Sequence, residues 1–376
     1  MKYLYTIVVL FLNCIISWGR ENLPQDLDIR YSVLKCQLNR IEKVDSLLFE
    51  NLPETFEEYY ELYGSEEKPL SGYPNIIEYL NSSETAQSIT QKIIGIATTA
   101  IPGKHYDPCL QNVLLSRLYK GGPREIVGYL NRHTYTENVV FWNFLFLREK
   151  GLCSKGEMNK AYSWLKDYNA QLRVEEYKYL DAIKEGYYLE PSVAKTSFHV
   201  DQKKVSCVKA LFAEIEEADR MLLEYLPTSF GEYFALCGFD KDKKDGPLYS
   251  NQDIVSRLAK SSSIDRKELI RKVLLLCSGG GLPDTDHIGI LQDCGYEFVN
   301  GEMAHYCIPI LNRMSYDENL SFWRFIFGGI ETRIPECEKD RIFHNFEQLS
   351  KKNAEKYLFM DAIKKGYYLS VDGLYH

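Results

Sequence analysis

The sequence lacks the short motifs by which most enzyme classes are recognised. No CxxC pair occurs among its ten cysteines, so neither dithiol exchange nor a zinc ribbon is supported. HExxH is absent, and so is the GxSxG nucleophile elbow. The triple glycine Gly279-Gly280-Gly281 has neither the lysine of a GxxxxGK[ST] loop nor GxGxxG spacing, so it is no phosphate cradle. Basic runs are missing too. Lys and Arg total 45 against 53 Asp and Glu, a formal charge of −8, which argues against binding a nucleic-acid backbone. Alternating β-branched stretches are scarce, which argues against a β-rich fold. Beyond the amino terminus no apolar run approaches the roughly 18 residues of a spanning helix, so no stable membrane insertion is expected.

What remains is a globular composition with a strong aromatic bias. Of 376 residues, 45% are hydrophobic and 26% charged, and 28 are tyrosine. That length suggests about two domains of roughly 100–200 residues each.

The amino terminus has the pattern of a secretory signal. Lys2 is a minimal positive region, Tyr3 to Ile16 is nearly unbroken apolar sequence, and Ser17-Trp18-Gly19 puts small residues at the −3 and −1 positions. Residues 1–19 are therefore read as a signal peptide, with a mature chain from Arg20 in the periplasm or outside the cell. A lipoprotein reading through Cys14 is disfavoured by the bulky Asn13 before it and the apolar residues after it. An exported chain can form disulfides. Nine cysteines beyond Cys14 is an odd number, however, and most are unmatched between the two halves, so spacing does not pair them. Cys237 and Cys277 lie in apolar helical patterns and read as core residues.

The halves are related. Leu130 to Phe146 realigns without a gap on Leu311 to Phe327, 181 residues later, with ten of seventeen positions identical where chance gives about one. Leu52-Pro53 through Gly64 returns as Leu226-Pro227 through Gly238. Ile89, Lys92, Ile93 and Ile96 match Leu269, Lys272, Val273 and Leu276. Tyr177 to Leu189 matches Tyr357 to Leu369. The expected organisation is a helical unit over 20–195 and its homologue over 196–376, joined near residues 190–204.

Each unit reads as five or six helices, giving an all-α fold. After a polar leader at 20–30, helical spacing runs from Tyr31 to Phe49. Thr55 with Glu58, Ser229 with Glu232, Thr134 with Glu137 and Ser315 with Glu318 have capping-box spacing. Gly64, Gly238, Gly186 and Gly366 fit the left-handed stop after a helix. Phe141, Phe144 and Leu145, like Phe322, Phe325 and Ile326, form a stripe expected to be core.

Candidate chemistry is thin. Asp284, Asp286, His287, Cys294, Glu302, His305 and Cys307 in the second half, and His105, Asp107 and Cys109 in the first, are metal-ligand or nucleophile types without a recognised spacing. His133 is matched by Met314, and Asp284 and Asp286 fit N-caps better. No catalytic, cofactor or metal residue is therefore assigned, and no cofactor is expected.

Three motifs in each half carry a resemblance: Leu-Pro-x-Thr/Ser-Phe-x-x-Tyr to glycine, the proline–leucine turn at Pro69-Leu70 and Pro247-Leu248, and the Phe-Trp-x-Phe-x-Phe helix. The sequence resembles a group of exported, mostly uncharacterised proteins of Gram-negative gut bacteria, in which one such unit or two follow a signal peptide. Copy two keeps Gly238-Phe239-Asp240 where copy one has Gly64-Ser65-Glu66. The Trp-Asp turn associated with the group is in neither. Some members look like periplasmic immunity proteins against contact-delivered toxins, so the resemblance implies a protein partner and no catalytic residue. The first expectation is accordingly an exported protein-binding protein, with contacts in the divergent stretches 98–112 and 278–308. The alternatives are a structural or glycan-binding envelope protein, and a metal-dependent hydrolase using Asp286, His287, Glu302 and His305.

Overall fold

The computed structural model describes residues 25–64, 67–81, 86–101, 107–119, 123–148, 151–171, 175–190, 199–238, 246–249, 253–279, 286–328, 336–352 and 355–372. The fold is all-α. The first half of the sequence contains α1 (Gln25–Glu50), α2 (Phe56–Tyr63), α3 (Ile76–Asn81), α4 (Ala86–Thr98), α5 (Pro108–Tyr119), α6 (Pro123–Leu130), α7 (Tyr135–Phe146), α8 (Lys155–Gln171) and α9 (Leu180–Tyr188). The second contains α10 (Gln202–Tyr225), α11 (Phe230–Cys237), α12 (Ile254–Lys260), α13 (Arg266–Ser278), α14 (Asp286–Asn300), α15 (Ala304–Leu311), α16 (Tyr316–Phe327), α17 (Glu336–Lys352) and α18 (Met360–Asp372). The one departure among the described residues is a miniature antiparallel ladder, Leu147–Arg148 against Gly151–Leu152.

Nine described helices per half correct the expected five or six. Three elements of the first half went unread: α5, α6 and α8. In α8 only Met158, Ala161 and Leu165 are buried across 17 residues, too sparse for a periodic signal. The polar leader is corrected as well, because α1 already starts at Gln25. The signal-peptide segment 1–19 and most of the junction, residues 191–198, lie outside the described residues.

The chain forms two compact units, residues 41–215 and residues 1–40 with 216–376. The long helices α1 and α10 are each divided between them, α1 at residue 40 and α10 at residue 215. The core of the 41–215 unit is built on the buried aromatics of α2 and α7, with Phe56 and Phe144 edge to face at 5.1 Å. The first part of α10 joins that core through Val205, Val208, Leu211, Phe212 and Ile215. In the other unit Phe230 meets Phe325 at 5.9 Å, and Trp323 is fully buried beside Phe346 and Tyr357.

The strongest caps are local, as their spacing implied. Thr134 accepts from the Glu137 amide at 3.3 Å, and the Glu137 carboxylate accepts from the Thr134 amide at 2.7 Å. Ser315 and Glu318 do the same at 3.2 and 2.7 Å. The other two boxes are only half made. Thr55 and Ser229 accept from the third amide, but Glu58 reaches the Glu54 amide rather than the cap residue's own.

The glycine readings are corrected. Gly64 has φ −69° and Gly238 has φ −74°, so neither is left-handed. A β-carbon on Gly238 would lie 2.5 Å from the Phe234 ring, and one on Gly64 would strike the Tyr60 ring. Gly186 and Gly366 do not stop their helices, which run on through Tyr188 and Asp372. Their role is close approach. A β-carbon at Gly186 would sit 2.7 Å from Trp142 Cβ, and one at Gly366 would sit 2.5 Å from Trp323 Cβ.

Candidate functional site

Buried polar side chains are the first place to seek chemistry, since unpaired they cost stability. In both halves an Asn, a Tyr, a Trp and a Gln of this kind bond to one another or to carbonyls at helix ends. Asn138 donates to the carbonyls of Leu130 and Thr134 at 3.0 and 2.9 Å, and Tyr177 donates to Asn138 Oδ1 at 2.8 Å. Trp142 Nε1 donates to the Tyr177 hydroxyl at 2.8 Å. The same bonds link Asn319 to Leu311 and Ser315, Tyr357 to Asn319, and Trp323 to Tyr357. Gln111 Nε2 donates to the carbonyls of Phe144 and Leu147, and Gln292 to those of Phe325, Ile326 and Gly328. These groups tie the last turns and first turns of neighbouring helices together.

Two further clusters contain titratable groups. In the 41–215 unit, Tyr59 donates to Asp107 Oδ1 at 3.0 Å and accepts from Asn75 at 2.8 Å. Burial pushes the Asp107 carboxyl above its ordinary range, and Asp107 also accepts from the Leu110 amide. Cys109 lies 3.8 Å from Glu78, and burial together with the Asp107 and Glu78 charges pushes its thiol up to about 12. In the other unit Tyr233 donates to Asp253 Oδ2 at 2.8 Å, while Asp253 Oδ1 caps α12 at the Ser256 amide. Burial raises the thiols of Cys237, Cys277 and Cys307, and that of Cys294 to about 12. A buried thiol held protonated is a poor nucleophile. No disulfide links any two of the nine cysteines from Cys36 to Cys337, and Cys237 and Cys277 lie in the core as their pattern implied.

The remaining sequence candidates are not brought together. His305 Nδ1 lies 2.6 Å from the Glu302 backbone oxygen, not its carboxylate, and its ring packs on Tyr306 at 3.8 Å. Cys307 is buried and donates to the Phe298 and Met303 carbonyls at 3.6 Å. Asp286 opens α14 as a helical residue rather than its N-cap, and its side chain and that of His287 lie outside the described residues, as do Asp284 and His105. His133 lies 3.8 Å from Glu137. Among the described residues no three His, Cys, Asp or Glu side chains are placed to hold a metal ion. No helix among them is long and apolar enough to cross a membrane.

The divergent stretches are not loops throughout. Residues 108–112 belong to α5, and α14 and α15 occupy most of 286–308. Their outer faces nevertheless differ in a specific way. At the end of α5, Tyr119 is 42% exposed and packs against Trp164 of α8 at 6.0 Å, with Lys160 Nζ 5.3 Å from the Tyr119 ring. The positions 181 residues later are Asn300, Asn345 and Arg341. There Arg341 donates to Asn300 Oδ1 at 3.0 Å, Asn300 donates to the Tyr296 hydroxyl at 3.0 Å, and Tyr296 donates to Glu338 at 2.8 Å. One face carries a partly exposed aromatic pair, and the other a partly exposed polar network. Tyr119 and Trp164 lie outside the shared motifs; their one signal in the sequence is the 181-residue offset, which sets them against two asparagines.

No protein-family model matches the chain, and neither a curated protein nor a solved structure matches it.

Proposed function

We propose that the chain is an exported, non-enzymatic protein-binding protein whose contact surface includes Tyr119, Trp164 and Lys160. The observation that supports this is a contrast between the halves: a hydrogen-bonded polar network in one, and in the other the exposed Tyr119 packed on the half-buried Trp164 beside a lysine. Tyr and Trp are the side chains most often found as binding anchors, because they bury a large area at low conformational cost. The shared buried polar groups, by contrast, are occupied in holding helix ends.

Within that reading, the partner is a toxin delivered to the periplasm, which this chain neutralises as an immunity protein. The signal-like amino terminus, the net charge of −8 and the family resemblance favour it. Neutralisation needs only shape and charge complementarity over a standard interface, not chemistry.

The test is affinity capture of the tagged chain, expressed from Arg20 in the envelope of its host. The expected result is one stoichiometric protein whose toxicity the chain suppresses. Replacing Tyr119 and Trp164 together by alanine should release it, while the far-ultraviolet circular dichroism stays helical. Retention of the partner by the double variant would move the contact elsewhere. Binding to a glycan with no captured protein would replace this reading by an envelope role.

A further inference from the structure

The end of each long helix is capped in an unusual way. A helix leaves its last four carbonyls without intrahelical donors, and cations near them are favourable. In the 41–215 unit, Lys92 of α4 donates to the Phe49 carbonyl at 2.7 Å, and Lys204 donates to the Leu52 carbonyl at 3.1 Å. Lys204 also pairs with Glu58 at 2.5 Å, and both side chains are mostly covered. In the unit of 1–40 with 216–376, Lys272 of α13 donates to the carbonyls of Leu223, Glu224 and Leu226. Arg30 donates to those of Tyr225 and Leu226 at 2.9 and 3.1 Å.

Lys92 and Lys272 belong to the same sequence half as the helix end they cap. Lys204 and Arg30 do not. Lys204 is on α10 and caps the end of α1, whereas Arg30 is on α1 and caps the end of α10. The two are equivalent positions, 174 residues apart, as are their acceptors Leu52 and Leu226. The apolar residues beside them behave alike. Val205, Val208 and Phe212 enter the core of the 41–215 unit, where Phe212 meets Tyr79 edge to face at 5.7 Å. Tyr31, Leu34 and Leu38, at the matching positions of α1, are buried as well.

We propose that the repeated segment is a self-recognition module: each copy completes the other by donating the first half of its long helix, with Arg30 or Lys204 as the cation that seats on the recipient's carbonyls. The partner this surface fits is a second copy of the same segment, and in this chain the second copy is supplied by duplication. The inference is independent of the toxin-binding reading.

The test uses the whole chain. A protease site is placed within residues 191–198, the folded protein is cut there, and the fragments are run on a sizing column. The expected result is co-elution at the size of the uncut chain, because each unit holds segments of both fragments. Arg30→Glu with Lys204→Glu should weaken the association of the cut fragments by at least roughly tenfold. Adding Glu58→Lys, which restores the Lys204 pair with reversed sign, should recover part of it, and circular dichroism of each uncut variant checks that it folds. Should the cut chain, with no further substitution, separate into two folded pieces, the proposal is wrong, whatever the variants do. An association unchanged by the double charge reversal would overturn the cationic seat.

Discussion

Glycine at 186 and 366 separates two kinds of helical glycine. At both, a β-carbon would enter the tryptophan on the neighbouring helix, at 2.7 Å from Trp142 Cβ and 2.5 Å from Trp323 Cβ. Gly95, inside α4, has nothing within 4 Å of that position. Gly366→Ala should therefore destabilise the protein by about 1–3 kcal/mol through overpacking. Gly95→Ala should stabilise it by about 0.5–1 kcal/mol through helix propensity. Urea unfolding of the two variants checks this, and effects of equal sign would rule out the close-approach reading. The capping glutamates give a pH prediction. Hydrogen bonds from the Thr134 and Ser315 amides hold the Glu137 and Glu318 carboxyls below their ordinary range. A depressed carboxylate contributes stability above its unfolded pKa, about 4.3, and loses it as pH falls through the folded value. Burial raises Asp107 and Asp219, whose contribution has the opposite sense, present at low pH and lost as pH rises through their folded values. Glu137→Gln with Glu318→Gln isolates the first effect, because both aspartates remain. The melting-temperature difference between parent and variant should be largest near pH 6 and shrink toward pH 3. A difference constant across that range would mean the two carboxylates gain nothing from charge at the helix start.

At the scale of elements, what could be read from the sequence was what is decided within one turn of chain. Thr134 and Ser315 begin helices because an oxygen, an amide and a carboxylate three residues on suffice, and all three are adjacent in sequence. The Phe141 and Phe322 stripes were legible for a similar reason, since a 3.6-residue period needs no knowledge of the partner. Gly186 was misread because its constraint comes from Trp142, 44 positions earlier, and left-handed geometry and close approach ask for the same residue. Helix α8 was missed because one narrow line of contacts, Met158, Ala161 and Leu165, holds it. Of the candidate surface, neither Tyr119 nor Trp164 announces itself, because both lie outside the motifs that the two halves share. The lysines show the limit most clearly. Lys92 and Lys272 aligned as one pair among isoleucines and leucines, with no hint that each reaches the last carbonyls of a helix more than 40 residues before it. Burial lowers the pKa of both. Lys272→Met should cost about 1–3 kcal/mol, since it leaves the Leu223 and Glu224 carbonyls without that donor. Equilibrium denaturation would measure this, and a cost below roughly 0.5 kcal/mol would mean that water replaces the ammonium.

For the whole molecule, the division of α1 and α10 matters more than the number of helices. A chain of 376 residues with two compact units would ordinarily be expected to melt in two steps. Here α1 supplies residues to both units, and so does α10. Melting either unit removes helical neighbours from half of each long helix, and short isolated helices are marginal in water. Unfolding should therefore be a single calorimetric transition. Lys92→Met acts in one unit and Lys272→Met in the other, yet each should lower that same transition by about 2–5 °C. Two resolved transitions, each variant moving only its own, would mean that the shared helices transmit nothing. A single transition moved by both would fit a chain whose two halves differ on their outer faces, Tyr119 and Trp164 against Asn300 and Asn345, yet each keep a lysine at the end of a long helix. On that outcome the caps would sustain one cooperative structure, and the outer faces would be free to change without disturbing it.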